Sequence, residues 1–223
     1  MQRFCEFFGI GKGVTALIGG GGKTSTMYAL ADALCTCGSV IVCTSTHILC
    51  PPQYPYADRI EKPLLYGQIV STGVREGNKL TAPAQSFETL ASLADYVLVE
   101  ADGSRQLPLK AHAPHEPVIP ENARTVLALV GIDGLGKPIR EAAHRPELYA
   151  KLCHADPDTI VTQKMIRDVI MTYPRADGVI INKADDAPRT DAAIALAELF
   201  SCPAAVTAWQ SEHPIKAYRR NDP

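Results

Sequence analysis

The sequence has no excess of one charge and no long apolar run. Its 22 basic and 24 acidic residues give a formal net charge of −2, which offers no electrostatic attraction for nucleic acid or an anionic membrane. No segment is apolar for long enough to cross a bilayer. The first residues carry an early acid, Glu6, and lack the apolar stretch of a secretory signal. We therefore expect a cytoplasmic protein with neither nucleic acid nor membrane as a partner.

Cysteine and histidine are present, but their spacing predicts neither a disulfide framework nor a zinc site. The seven cysteines are an odd number spread over the whole chain, and in a cytoplasmic protein we expect reduced core residues. Cys35 and Cys37 stand too close together and too isolated for a convincing metal site. Pro114 separates His112 from His115 and excludes helical ligand spacing.

Strand-like apolar runs alternate with helical patterns along the chain. Such a pattern is typical of a mostly parallel sheet covered by helices on both faces, so we predict a three-layer α/β fold. We expect one domain over residues 1–210, with a small irregular or β insertion at about 51–80 and a frayed polar tail over 211–223. The predicted strands are 14–18, 40–43, 96–99, 126–130, 179–181 and 205–206, and the predicted helices are 25–37, 87–93 and 192–200.

Four consecutive glycines lie between the first strand and the first helix. Glycine lets backbone N–H groups turn toward an anion, the helix N-terminus is positive, and a following Lys-Thr pair can reach phosphate and Mg²⁺. The spacing fits G-x-x-G-K-T, as in Mur-ligase-type ATP sites, because Leu17 stands where a longer phosphate loop has its first glycine. The alternative is a glycine-rich turn with an exposed lysine. The predicted nucleotide-binding residues are Gly19, Gly20, Gly21, Gly22, Lys23, Thr24 and Ser25, with Lys23 at the surface and also catalytic.

A second nucleotide signal, N-K-x-D, ends the predicted strand 179–181. The carboxylate of Asp185 can accept two hydrogen bonds from guanine, which adenine cannot donate. The stem of Lys183 can lie over the purine, and Asn182 can brace the loop. Thr207 lies at the end of a later predicted strand. Its segment resembles the one that lies behind the guanine base in GTP-binding proteins. Chance is the alternative, because the motif is short.

Acids end the predicted strand 96–99. Glu100 and Asp102 are two residues apart and would share one face of a continuing strand, where such proteins hold Mg²⁺. We predict that both acids are catalytic and that, with Thr24, they hold the metal. The alternative is a strand end exposed to solvent.

Two further segments offer polar groups for a second ligand. After the second strand, the hydroxyls of Thr44 and Thr46 precede His47, a candidate general base or metal ligand. A capped turn and an ordinary hydrogen-bonded histidine are the alternatives. The proline-rich segment 105–122 reads as an ordered loop, either functional or a structural lid. Its candidate substrate or partner residues are Lys110, His115 and Glu116.

Taken together, these motifs resemble the YqeC-type proteins, which are described as accessory proteins of selenium-dependent hydroxylases or as selenium cofactor biosynthesis proteins. The resemblance runs to about residue 208, and E-A-D-G-S and H-E-P-V-I-P are its specific pieces. It implies a P-loop NTPase-like fold and a role in maturing a molybdenum hydroxylase that carries labile selenium. The hydroxylase, or the proteins that assemble its cofactor, is the implied partner. The stretches that carry the resemblance are 17–24, 44–47, 99–104, 109–110, 115–120 and 182–185.

Three functions are compatible with these signals. The first is a maturation factor that uses Mg²⁺ and GTP or ATP, where hydrolysis drives a conformational change. The second is a small-molecule kinase or ATP-dependent ligase, in which the proline-rich loop and His47 hold an acceptor. The third is a nucleotide-gated scaffold that binds a partner without turnover.

Overall fold

The alternating strands and helices build an α/β fold around a large, mostly parallel central sheet. The computed structural model describes residues 1–220, within which the strands do not close into a barrel. The chain divides into two compact units. The first unit comprises Met1–Ile18, Thr24–Gly103 and Pro117–Val126, and the second comprises Gly19–Lys23, Ser104–Glu116 and the residues from Leu127 onward.

The first unit contributes five strands to the central sheet. Its elements are α1 (Gln2–Phe7), β1 (Gly13–Gly19), α2 (Lys23–Leu34), β2 (Val40–Thr44), β3 (His47–Leu49), β4 (Tyr56–Ala57), β5 (Ile69–Thr72), β6 (Val74–Glu76), β7 (Lys79–Thr81), α3 (Phe87–Leu93) and β8 (Tyr96–Glu100). The five strands run parallel in the order β1-β8-β2-β5-β4. Every residue of β2 and β8 is buried, as their continuous apolar sequences predict.

Residues 51–80, where we expected an insertion, are divided between two sheets. β4 and β5 extend the parallel sheet beyond β2. β6 and β7 instead form a three-stranded antiparallel sheet with β3, in the order β3-β7-β6.

The second unit contributes four strands to the central sheet. Its elements are β9 (Leu109–Lys110), β10 (Ala123–Gly131, in this unit from Leu127), a 3₁₀ turn (Ile132–Gly134), α4 (Ile139–Ala142), β11 (Ala143–His144), α5 (Pro146–Leu152), α6 (Gln163–Ile170), β12 (Gly178–Asn182), α7 (Ala187–Ala197), β13 (Ala204–Thr207) and β14 (Ile215–Arg219). The strand order is β14-β13-β12-β10, and only β14 is antiparallel to its neighbour. β9 and β11 form a separate parallel pair.

Two predicted helices have different ends in the structure. α2 starts at Lys23 and stops at Leu34. Beyond it, the amides of Thr36 and Cys37 donate to carbonyls three residues back, and the side chains of Cys35 and Thr36 also bind carbonyls of the last turn. α7 starts at Ala187 rather than at residue 192, because Asp186 caps it and proline is tolerated in a first helical turn.

The expected frayed tail is wrong for residues 215–219. They form β14, which pairs with β13, and Arg219 makes an ion pair with Glu198. Residues 221–223 of the predicted tail lie outside the described part of the chain. No helix within residues 1–220 combines the length and apolar character needed to cross a bilayer.

Candidate functional site

The glycine loop of the second unit is packed against backbone. Gly19, Gly21 and Gly22 all have positive φ angles, at +97°, +77° and +116°. A Cβ on Gly19 would overlap the carbonyl oxygen of Leu129, and one on Gly21 would overlap the amide of Gly131. The glycines are therefore required both by backbone conformation and by the close approach of β10.

Two of the glycine amides face protein carbonyls. Gly20 N–H donates to Leu129 O at 3.0 Å, and Gly21 N–H donates to Leu107 O at 3.1 Å. This differs from the expectation that the glycine amides turn toward an anion.

Lys23 is buried, so the expectation of a surface lysine is wrong. It is 3% exposed. Its Nζ donates to Gly19 O at 2.6 Å and to Ser104 Oγ at 3.3 Å. The side chain folds back over the loop, where oxygen atoms replace the water that an ammonium group needs.

Asn182 of the N-K-x-D motif bonds to the glycine loop. Its Nδ2 donates to Gly21 O at 2.8 Å, and its Oδ1 accepts from Thr207 Oγ at 3.1 Å. Asn182 and Thr207 are both buried. The structure thus brings together three predicted site residues from distant parts of the second unit.

The other two residues of this motif lie nearer the surface. Lys183 has a positive φ of 65°, and its Nζ lies 3.0 Å from Asp133 Oδ2. The Asp185 side chain is 47% exposed and lies 3.8 Å from the guanidinium of Arg189. Asp133 was missed by the sequence reasoning, although it follows the apolar strand β10 just as Glu100 ends β8.

In the first unit, Thr24 and Glu100 are in direct contact. Thr24 Oγ donates to Glu100 Oε2 at 2.8 Å. Glu100 is 7% exposed and Asp102 is completely buried. The alternative of a solvent-exposed strand end is therefore wrong. Ser25, which follows Thr24, is exposed.

The hydroxyl segment after β2 is bonded to the end of β8. Thr44 Oγ donates to the backbone carbonyl of Glu100 at 2.7 Å and accepts from Thr46 N–H at 3.0 Å. His47 lies on β3, where its side chain is 64% exposed and 3.9 Å from Glu76. The two threonines thus support the strand end that carries Glu100, and His47 faces solvent.

Glu116 joins two cations in the second unit. It accepts from Lys110 Nζ at 3.1 Å through Oε1, and from Arg145 Nε at 3.0 Å through Oε2. The Lys110 side chain is fully buried, and that of Glu116 is 12% exposed. Burial raises the pKa of Glu116, but Lys110, the Ala113 amide and Arg145 outweigh burial and hold the pKa below its usual value.

The remaining partner-loop candidate, His115, is exposed. Tyr173 fixes the neighbouring part of this loop. Its Oη donates to Lys110 O at 2.9 Å, and its ring lies 4.1 Å from the ring of His112. Arg145, which has a positive φ of 66°, belongs to no motif, and no pattern in the sequence identified it.

A cavity of about 480 Å³ lies elsewhere in the first unit, at the amino ends of β1, β2 and β8. Its polar lining includes the Lys12–Asp95 ion pair and Arg124. None of the predicted site residues lines it. Ligands of parallel sheets usually bind at the carboxyl ends of strands, so we take the glycine loop as the candidate site. Within residues 1–220, no group of three or more His, Cys, Asp or Glu side chains could hold a metal ion.

Comparison with known proteins identifies the family. A family model described as "YqeC protein" matches residues 15–147, which include the glycine loop, Glu100, Asp102 and Glu116. The chain is 31% identical over 185 residues to "Uncharacterized protein YqeC" of Escherichia coli (strain K12), covering 76% of this chain and 70% of that protein. The chain therefore belongs to the YqeC family.

Proposed function

We propose that this chain binds a nucleoside triphosphate with Mg²⁺ and hydrolyses it, as an accessory factor in the maturation of a selenium-dependent molybdenum hydroxylase. The nucleotide part of the proposal rests on side-chain contacts and includes a P-loop NTPase-like arrangement of the loop and helix. The hydroxylase part rests on the resemblance of the motifs to YqeC-type proteins.

The hydrogen bond from Asn182 to Gly21 O carries the nucleotide proposal. A phosphate-type loop and a base-recognition motif are separate sequence signals, 161 residues apart at these two positions. A nucleotide needs its base and phosphate subsites at a fixed separation. A direct hydrogen bond between the two motifs within one unit fixes the distance between these subsites. A glycine-rich turn without a nucleotide would not require such a bond.

Lys23 and the start of α2 support phosphate binding. α2 is 12 residues long and starts at Lys23, so its positive end follows the glycine loop. Because Gly20 and Gly21 donate to protein carbonyls, we place the bound phosphate at the first turn of α2. Lys23 would exchange its bond to Gly19 O for one to phosphate.

Thr24 and Glu100 fit a magnesium ion. Mg²⁺ prefers oxygen ligands, and a hydroxyl that donates its proton to a carboxylate keeps its oxygen lone pairs for a metal. We propose that these two residues hold Mg²⁺ and that the buried carboxylate of Asp102 supports them. Thr24 directly follows Lys23 in the chain. The ion would neutralise charge on the β and γ phosphates.

Asp185 supports guanine as the base. Its carboxylate is 47% exposed and can accept from both the N1–H and the exocyclic amine of guanine. Adenine lacks this pair of donors, so we propose GTP as the nucleotide and ATP as the alternative.

Calorimetric titration with Mg²⁺ and either GTP or ATP tests the proposal. We expect wild type to bind GTP more tightly than ATP, and Lys23→Ala to lose most triphosphate affinity because it removes the cation of the loop. Lys62→Ala, which removes an exposed lysine, is the matched control and should bind like wild type. Because Lys23 is buried, the urea midpoint of each variant must show that it is folded.

Unchanged affinity in folded Lys23→Ala would overturn the phosphate-loop interpretation. Asp185→Asn tests the base separately, since it should weaken GTP binding by about 1.5–3 kcal/mol and relax discrimination against xanthosine triphosphate. Tighter binding of ATP than GTP by wild type would overturn guanine recognition while leaving the loop interpretation intact.

A further inference from the structure

A tight turn with an unusual backbone conformation starts the segment 104–116. Leu107 N–H donates to Ser104 O at 3.0 Å, and the two central residues, Arg105 and Gln106, have φ angles of 50° and 63°. Positive φ at both central positions is what a type I′ turn requires, and such turns normally use Asn, Asp or Gly. Arg105 and Gln106 are both exposed.

Both ends of this turn are bonded to the glycine loop within the second unit. At one end, Leu107 O accepts from Gly21 N–H at 3.1 Å. At the other end, Ser104 Oγ lies 3.3 Å from the Nζ of Lys23. A Cβ on Gly20 would lie 2.8 Å from Leu107 O, so the turn and the loop are in close contact. The backbone of Arg105 is therefore held beside the loop proposed to bind phosphates.

The contacts that hold the turn do not use the Arg105 side chain. They come from the Ser104 hydroxyl and the Leu107 carbonyl, so an Asn or Gly at position 105 would serve the turn better. Non-glycine residues with such φ angles cluster at active sites and ligand-binding segments, where the surrounding structure holds them in place. A guanidinium is always charged and binds phosphate through two parallel hydrogen bonds.

We propose that Arg105 is a catalytic residue that contacts the γ-phosphate of the nucleotide, an inference that rests on the proposed function. In the reaction, the oxygen of water forms a bond to the γ-phosphorus as the bond from that phosphorus to the β–γ bridging oxygen breaks. The bond's electron pair stays on the diphosphate, one water proton stays on the released phosphate, and the other goes to solvent. Arg105 transfers no proton. It stabilises the charge on the transferring phosphoryl group.

Two single variants test this inference, each of which places asparagine at one of the two central positions of the turn. Arg105→Asn removes the cation and Gln106→Asn keeps it, while asparagine tolerates the positive φ at either position. We expect Arg105→Asn to lower single-turnover phosphate release from Mg²⁺–GTP by about 10³-fold with GTP affinity within about threefold of wild type. Gln106→Asn should match wild type in both measurements. Arg105→Lys should recover only part of the rate, because lysine lacks the planar fork.

The outcomes separate this inference from the proposed function. Wild type that fails to bind GTP or ATP would overturn the proposed function, and the role of Arg105 with it. Wild type that binds nucleotide while Arg105→Asn releases phosphate at the wild-type rate would overturn only the role of Arg105. Wild type that binds nucleotide but releases no phosphate would overturn the hydrolysis part of the proposed function together with the role of Arg105, and would leave nucleotide binding standing. A loss of affinity in Arg105→Asn with an unchanged rate at saturation would also contradict the role of Arg105, because Arg105 would then be a binding residue.

Discussion

Glu100 of the first unit and Glu116 of the second are both largely buried, and each accepts hydrogen bonds from a different kind of donor. Glu116 accepts from two cations, Lys110 and Arg145, at 2.9–3.1 Å. Glu100 accepts from the neutral hydroxyl of Thr24 at 2.8 Å. Two cations within the same unit balance the charge of Glu116. The Thr24 hydroxyl that donates to Glu100 keeps its own oxygen lone pairs for a further ligand.

This difference indicates separate roles for two acids that the sequence presents alike. Both lie in motifs shared with YqeC-type proteins, and we predicted both as site residues. The contacts of Glu116 favour a structural role, in which it fixes the proline-rich segment to Lys110 and Arg145. The contact of Glu100 with a hydroxyl suits a carboxylate that meets a metal ion.

The largest effect should come from Glu116→Gln. We expect the free energy of unfolding to fall by about 3–5 kcal/mol, because the buried ammonium of Lys110 would lose its carboxylate. Urea denaturation measures this loss. The exposed neighbour His115 is the matched control, and His115→Ala should stay within about 0.5 kcal/mol of wild type.

The same control variant tests the partner role of the loop. If His115 faces a partner, His115→Ala should abolish hydroxylase maturation in cells while nucleotide affinity stays at the wild-type value. Full maturation with His115→Ala would show that His115 does not contact the partner, and the segment 44–47 would then be the next candidate for the partner surface.

Glu100→Gln should have a smaller effect on stability and a large one on turnover. Glutamine still accepts from Thr24, so we expect unfolding to become easier by no more than about 1.5 kcal/mol. Phosphate release should fall about 100-fold, and nucleotide affinity should change less, because Mg²⁺ neutralises charge that develops during transfer. The assignment of different roles to Glu100 and Glu116 would be contradicted if Glu100→Gln lost as much stability as Glu116→Gln and kept wild-type turnover.

The smallest effect should be a pH dependence that comes from His144. Burial, followed by the charges of Lys110 and Arg145, lowers the pKa of His144 below its ordinary value of 6.5, while Glu116 opposes this shift. A histidine with a lowered pKa contributes stability that is present above pH 6.5 and is lost as pH falls through the folded value.

Urea midpoints between about pH 8 and pH 5 would measure this slope. The slope should flatten in His144→Gln and persist in Glu100→Gln, since Glu100 is not among the groups that shift His144. An identical slope in wild type and His144→Gln would contradict the assignment.

Much of the fold was predictable because its strands carry local signals. The core strands β1, β2, β8, β10 and β12 were found from continuous apolar runs, and α3 was found with its observed ends. The short helices α4, α5 and α6 were missed. α4 and α5 have only four and seven residues, with charges among the apolar positions, so packing sets them. β14 was missed for a similar reason, because pairing with β13 orders a polar segment. α6 was within reach of the sequence, because Ile166, Val169 and Ile170 recur at helical spacing after the capping residue Thr162.

For the candidate site, the motifs could be recognised from the sequence, but the contacts between them could not. The glycine loop and the N-K-x-D motif were recognisable, but their bond through Asn182 depends on the pairing of distant strands. The burial of Lys23 and the conformation of Arg105 carry no local signal, since neither residue type favours such a position. Asp133 was within reach, because an acid after an apolar strand is the signal that identified Glu100.

The short strand β14 forms one edge of the central sheet. It covers one side of β13, a fully buried strand of sequence Ala-Ala-Val-Thr. Lys216 and Arg219 place charge along the outer strand, and charged edge strands discourage pairing between molecules. Truncation after Gln210 would expose the backbone amides and carbonyls on one side of β13, and a strand of a second chain could then pair with them. A shortened protein would then tend to aggregate, even with its glycine loop intact.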